Sequence, residues 1–177
     1  AKVIVSRRDM CFWYTPKILG VLRISNYFVD ILVANCQAVA RKAMEEERFS
    51  ENRTRVIYNG YARGGGVPQV DSSQWLAMGI GVDDYVIAKT ANLYPIKRHN
   101  DLLLAFSNVH SRFPNSHLVL IGGGAEEDAL QKMTDGLGLR RHVHFLGARN
   151  DVDRIIQRAD VCVSSSESEG LSNAIME

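Results

Sequence analysis

Short apolar, β-branched runs alternate with longer amphipathic stretches along the chain, a pattern that predicts parallel strands joined by crossover helices. Lys2–Ser6 reads as a strand and Pro16–Phe28 as a helix, with Pro16 suited to its first turn. Asp30–Ala34 is the next strand, and 37–49, rich in Ala, Glu, Lys and Arg, the next helix. Arg55–Tyr58 is a third strand, closed by the turn signal Asn59-Gly60. Residues 61–73 hold Gly64-Gly65-Gly66 and Pro68 without any period, as a linker or flexible loop would. A short amphipathic helix at 74–78 leads into a second alternation. There, strands are predicted at 86–90, 118–121, 143–146 and 160–164. Helices are predicted at 100–113, 125–137 and 152–158, with a last one beginning near Gly170. Leu102, Leu103, Phe106, Val109 and Phe113 form the apolar stripe of the first of these helices.

Composition agrees with this α/β reading and narrows the partners. The chain has 177 residues, 46% hydrophobic and 23% charged, enough to bury a real core. A net charge of +1 gives no bulk field for nucleic acid, and the local basic cluster Lys97-Arg98-His99 is too small to make a groove. Cys11, Cys36 and Cys162 are odd in number and widely spaced, which argues against a disulfide framework or a zinc site. Each lies among apolar neighbours, so buried packing is expected. No run approaches the length of a membrane span and no signal-peptide pattern opens the chain. A cytoplasmic setting is therefore expected, with any peripheral membrane contact left to segments outside this chain. The sequence opens directly on the strand Val3-Ile4-Val5 and stops at Glu177 within a helical pattern, so it is expected to be a piece of something longer.

Candidate chemistry collects just beyond the strands of the second alternation, where open α/β sheets bind ligands. Lys97, on the loop after 86–90, suits a diphosphate, though a solvated lysine reads the same way. Gly122-Gly123-Gly124 lies between strand and helix. Glycines there let backbone approach a ligand, and equally let a tight turn form. The spacing is not that of a dinucleotide fingerprint. Gly147-Ala148-Arg149 also follows a strand and could offer backbone to a flat base, or be a plain turn. The segment from Ser164 to Glu177 reads as a strand end, a small polar loop and a helix start with free amides at Gly170 to Ser172. Glu169 and Glu177 would lie about 12 Å apart along a helix axis. That is too far for a shared proton or for glycosidase carboxylates at about 5–9.5 Å, but it suits one elongated ligand held at two ends. A capped helix with solvated glutamates is the alternative.

Ser168-Glu169-Gly170, with seven residues between Glu169 and Glu177, follows Ala159-Asp160-Val161 and resembles the signature of the family 4 retaining glycosyltransferases. Val56-Ile57-Tyr58-Asn59-Gly60, Leu120-Ile121-Gly122-Gly123-Gly124 and Phe145-Leu146-Gly147 resemble other stations of that family, in the right order. The resemblance covers essentially the whole chain. It implies a GT-B fold of two Rossmann-like domains, both incomplete here: 1–80 as the later part of the acceptor-side domain with linker, and 81–177 as the first part of the donor domain.

The resemblance also implies roles. Glu177 would bind the ribose of a UDP- or GDP-type donor, and Glu169 would lie by the transferred sugar. Lys97 and the amides of Gly170, Leu171 and Ser172 would hold the diphosphate, with Gly123 beside the donor and Gly147 flanking the base. Two positions depart from the family pattern. Asn92 stands where an Arg is usual, so one phosphate charge partner is absent, or is replaced by Arg98 or by a group from elsewhere. Arg8 stands where many members carry a His facing the sugar, although Arg7-Arg8-Asp9 also reads as a surface ion pair. The implied activity is transfer of a hexose from a nucleoside diphosphate sugar to a saccharide or lipid-linked acceptor, with retention and without metal or cofactor. The chain alone is expected to be inactive. A sugar-nucleotide epimerase or a non-catalytic binding module of the same fold is the alternative. His99, His110, His117, His142 and His144 belong to no motif and are expected to be solvated or packed.

Overall fold

The computed structural model describes residues 1–60 and 72–176. They form an α/β protein with two sheets whose strands all pair in parallel. They group into two compact units, 1–60 with 168–176, and 72–167. The glycine-rich stretch expected as a linker lies, as far as Asp71, outside the described residues.

In the first unit β1 (Ile4–Arg7), β2 (Ile31–Ala34) and β3 (Thr54–Val56) lie side by side in chain order. The helix α1 (Pro16–Ser25) starts on Thr15, whose hydroxyl accepts from the Ile18 amide at 3.3 Å. It stops three residues earlier than its pattern predicts, passing into a 3₁₀ turn at Asn26–Phe28 that brings Val29 into the core. The next helix, α2 (Gln37–Glu46), also ends early. Arg48 takes a left-handed conformation (φ 57°), which turns Phe49 back into the core beside Leu32, Val39 and Ala43. β3 begins one residue before its predicted start and ends at Val56, although the Ile57 amide still donates to the Ala34 carbonyl at 2.9 Å. A buried ion pair ties the β1 end to the α2 end. Arg7 meets Glu47 through two bonds of 2.7 and 2.8 Å, and Tyr14 donates to the same carboxylate at 3.0 Å.

The second unit runs α3 (Ser72–Ala77), β4 (Tyr85–Thr90), α4 (His99–Arg112), β5 (Ser116–Ile121), α5 (Glu127–Gly136), β6 (Val143–Phe145), α6 (Val152–Ile156) and β7 (Val161–Cys162). Its sheet order is β6-β5-β4-β7. β5 is buried throughout, and its alternate residues serve different clusters. Leu118 and Leu120 pack with Leu103, Phe106 and Leu130 from α4 and α5. Val119 and Ile121 pack with Trp75 and Ile155 from α3 and α6. A period of two feeding two helix layers is the mark of a strand covered on both faces. Phe113, expected in the α4 stripe, lies past the helix end and is 56% exposed. β7 is shorter than its pattern predicts. It pairs with β4 only at Val161 and Cys162, and at this edge position Cys162 is exposed rather than buried.

Candidate nucleotide-sugar site

Strand order decides where a ligand can sit in the second unit. The chain moves outward from β4 through β5 to β6, then returns to place β7 on the other side of β4. That reversal opens a crevice between the loops leaving β4 and β7. Lys97 and Arg98 are on the first loop, and Ser165 and Glu167 on the second. A 3₁₀ turn at Pro95–Lys97 ends at Arg98, which is left-handed (φ 52°) and stands directly before α4. The two loops are joined. The Glu167 amide donates to the Ile96 carbonyl at 2.9 Å, and the Ser165 hydroxyl lies 3.0 Å from the carbonyls of both Lys97 and Arg98. Lys97 is half-buried. Arg98 is exposed and pairs with Asp101 at 2.7 Å and Glu167 at 3.8 Å.

The glycine run continues the same end of the sheet. The Leu93 amide donates to the Gly123 carbonyl at 3.0 Å, and the Gly122 amide to the Gly147 carbonyl at 2.8 Å. A Cβ on Gly122 (φ 138°) would meet the Ala91 carbonyl oxygen at 2.2 Å, and one on Gly124 the Leu93 oxygen at 2.5 Å. These two glycines let the β4 and β5 loops touch. Gly123 and Gly147 have open space where a side chain would be, so they are the ones beside which a ligand could lie against backbone. Asn92, exposed, stands next to this contact.

The remaining expected residues belong to the first unit. Arg8 is exposed at the end of β1, and its carbonyl accepts from Asn35 at 2.9 Å. A Cβ on Gly170 would come within 2.7 Å of that carbonyl oxygen and 3.0 Å of the Val39 side chain. Leu171 packs on the Val39 core. The last helix, α7 (Asn173–Met176), starts three residues later than predicted. The amides of Gly170, Leu171 and Ser172 therefore precede a helix and are not its first turn. Ser172 and Glu169 are half-buried, and Asn59 donates to Asn173 at 2.7 Å. Glu177 lies outside the described residues. The structure thus gathers Arg8 with Gly170 and Leu171 on one unit. It gathers Asn92, Lys97, Arg98, Gly123 and Gly147 on the other.

Residues 77–177, more than half of the chain, match the family model for Glycosyl transferases group 1. The chain belongs to this family. Among relatives of this group 1 glycosyl transferase, putative glycosyltransferase EpsD of Bacillus subtilis is 35% identical over 99 residues, which is 56% of this chain and 26% of that protein. The lipopolysaccharide core biosynthesis glycosyltransferase LpsE of Rhizobium meliloti is 29% identical over 173 residues, 92% of this chain and 48% of that protein. The chain therefore spans a quarter to a half of these relatives. The Anabaena HepE structure in complex with UDP superposes with a TM-score of 0.81 at 23% identity, covering 98% of this chain and 50% of that one, and shares the fold. The same protein is also seen with UDP-glucose.

Two features of this group 1 glycosyl transferase have no counterpart in its motifs. Lys89, inside β4, is 2% exposed, and its ammonium donates to the Lys97 carbonyl and, at 2.5 Å, to Ser165. A charge within the apolar run Val86-Ile87-Ala88-Lys89-Thr90 was the available signal. The second is a histidine cluster. His117 Nδ1 lies 3.1 Å from His144 Nε2, its Nε2 lies 3.4 Å from Asp84, and the His110 and His142 rings meet at a tilt of 42° with centroids 4.0 Å apart. Burial, then mutual repulsion among the rings, pushes His144 down to about 4. Burial first also lowers His117 and His142. These rings come from α4, β5 and the β6 region, so no local spacing could announce them. Among the described residues no His, Cys, Asp and Glu group is arranged to hold a metal ion. His99, under the Lys97 turn, is also buried, and burial with the charges of Lys89 and Lys97 lowers it to about 4. Among the described residues, no helix is long and apolar enough to cross a membrane.

Proposed function

We propose that the full-length protein is a retaining, family 4-type hexosyltransferase that uses a UDP- or GDP-type sugar. The carrying observation is the junction of the Lys97–Arg98 turn with the Ser165–Glu167 segment at the sheet's switch point. Lys97 stands half-buried on this turn, and the glycine-lined backbone at Gly122 and Gly123 continues the same end of the sheet. In this reading 81–177 belongs to the donor domain and 1–80 to the acceptor side. Lys97 and the Gly170, Leu171 and Ser172 amides hold the diphosphate, Glu177 holds the ribose, and the Gly147 backbone flanks the base. Arg98 supplies the charge that Asn92 does not. Glu169 and Arg8 lie by the transferred sugar.

The bond between sugar C1 and the β-phosphate oxygen breaks, and the diphosphate keeps the electron pair. The acceptor oxygen forms the new bond to C1 on the same face and releases its proton. Charge accumulates on the leaving diphosphate, so cations and amides fixed there stabilise the transition state more than the ground state. No metal or cofactor enters this scheme. HepE, a fold relative, binds UDP and UDP-glucose, and LpsE is named for lipopolysaccharide core biosynthesis. Both support a nucleotide-sugar donor and a saccharide or lipid-linked acceptor. Calorimetry with UDP and GDP tests the donor half. One of them binds, and Glu177→Gln weakens it by roughly 1.5–3 kcal/mol. Undiminished affinity in that variant removes the ribose assignment.

A further inference from the structure

We propose that Lys89 is a positioning residue that locks the Lys97–Arg98 turn into the shape that receives the diphosphate; this rests on the donor-site reading above. A lysine with 2% exposure inside a parallel strand is costly unless its charge is fully used. Here it serves as a three-way staple. Its stem rises from β4, and its ammonium donates to the Lys97 carbonyl on the first loop and the Ser165 hydroxyl on the second. That hydroxyl, filled as acceptor by Lys89, turns its own proton toward the Lys97 and Arg98 carbonyls, each 3.0 Å away.

The staple sits where the backbone needs one. Arg98 is non-glycine at φ 52° and ψ 46°, a conformation that survives only when its surroundings over-determine it. Lys89 holds the Lys97 carbonyl, Ser165 holds those of Lys97 and Arg98, and the Glu167 amide holds the Ile96 carbonyl just before them. Four hydrogen bonds thus hold the carbonyls of Ile96, Lys97 and Arg98, and they fix the turn that carries the Lys97 side chain. His99, buried directly after the turn and lowered to about 4 by that burial and by the charges of Lys89 and Lys97, adds no competing charge near neutral pH. In this role Lys89 acts through the loop it holds, not as a group on the diphosphate.

Nucleotide affinity of the full-length protein tests this, using UDP against uridine and GDP against guanosine. Lys97→Ala first checks the reading beneath it, with an expected loss of about tenfold or more for the diphosphate and little for the nucleoside. If Lys97→Ala costs both ligands equally or neither, the donor-site reading fails and the Lys89 role falls with it. Given that loss, Lys89→Met, which keeps volume and removes the charge, is expected to weaken the diphosphate about three- to tenfold and leave the nucleoside unchanged. In the double variant it should add less than about twofold to Lys97→Ala, because the loop it positions no longer carries its charge. Unchanged diphosphate preference in Lys89→Met, or fully additive losses, overturns the proposal while leaving the donor site intact. Should Lys89→Met fail to fold, Ser165→Ala decides. A selective loss of diphosphate affinity supports the staple, and no selective loss overturns it.

Discussion

The Arg8 carbonyl and Gly170 are in such close contact that a Cβ on the glycine would reach within 2.7 Å of the oxygen. Glycine is required here for approach, since Arg8 O is fixed by Asn35 and Val39 closes the other side at 3.0 Å. Gly170→Ala must therefore displace backbone, and is expected to cost about 1–3 kcal/mol in denaturant unfolding. Gly123→Ala, with open space at its Cβ, is the control and is expected to cost far less. Equal effects would mean that the contact gives way easily.

The Arg7–Glu47 pair makes a larger prediction. Glu47 is 2% exposed and accepts from Arg7, Tyr14 and Asn26, and these bonds hold its carboxyl below the usual range against the cost of burial. Glu47→Ala leaves Arg7 buried without its partner, and about 3–5 kcal/mol of stability should go. Arg7→Met with Glu47→Leu should recover much of it. A double variant no better than the single would show that the geometry matters more than the charge.

Acid should weaken the second unit. His99 and His144 sit near 4 when folded, against about 6.5 unfolded, so the unfolded chain binds more protons between those values. Stability is then complete above about pH 6.5 and falls as the pH drops toward 4. Asp84, which faces His117, offsets part of the loss, while Arg158 and the neighbouring rings add to it. Thermal midpoints measured from pH 7.5 to 4.5 should decline, and less steeply for His144→Asn. Identical slopes would show that His144 is not among the groups responsible.

Most of the architecture was legible because two-sided burial writes itself into sequence. Val86–Thr90 and Leu118–Ile121 read as strands, and the structure covers both faces of each. Ends were less legible, since they depend on single backbone choices such as Arg48 at φ 57°. The late start of α7 has the same origin, because Gly170 and Leu171 are taken up by packing against Arg8 and the Val39 core. Lys97 and the glycines could be picked out from their place after strands. Lys89 could not, because the partners that give it meaning lie 8 and 76 residues away in the chain.

Transfer with retention is tested most directly in the product. The full-length protein is incubated with labelled UDP- and GDP-hexoses and a panel of saccharide and lipid-linked acceptors, and the new linkage is read by proton NMR. The expected result is label on an acceptor, joined with the anomeric configuration it had in the donor, and nucleoside diphosphate released in equal amount. An inverted linkage, a free epimerised sugar, or nucleotide bound without turnover would contradict it.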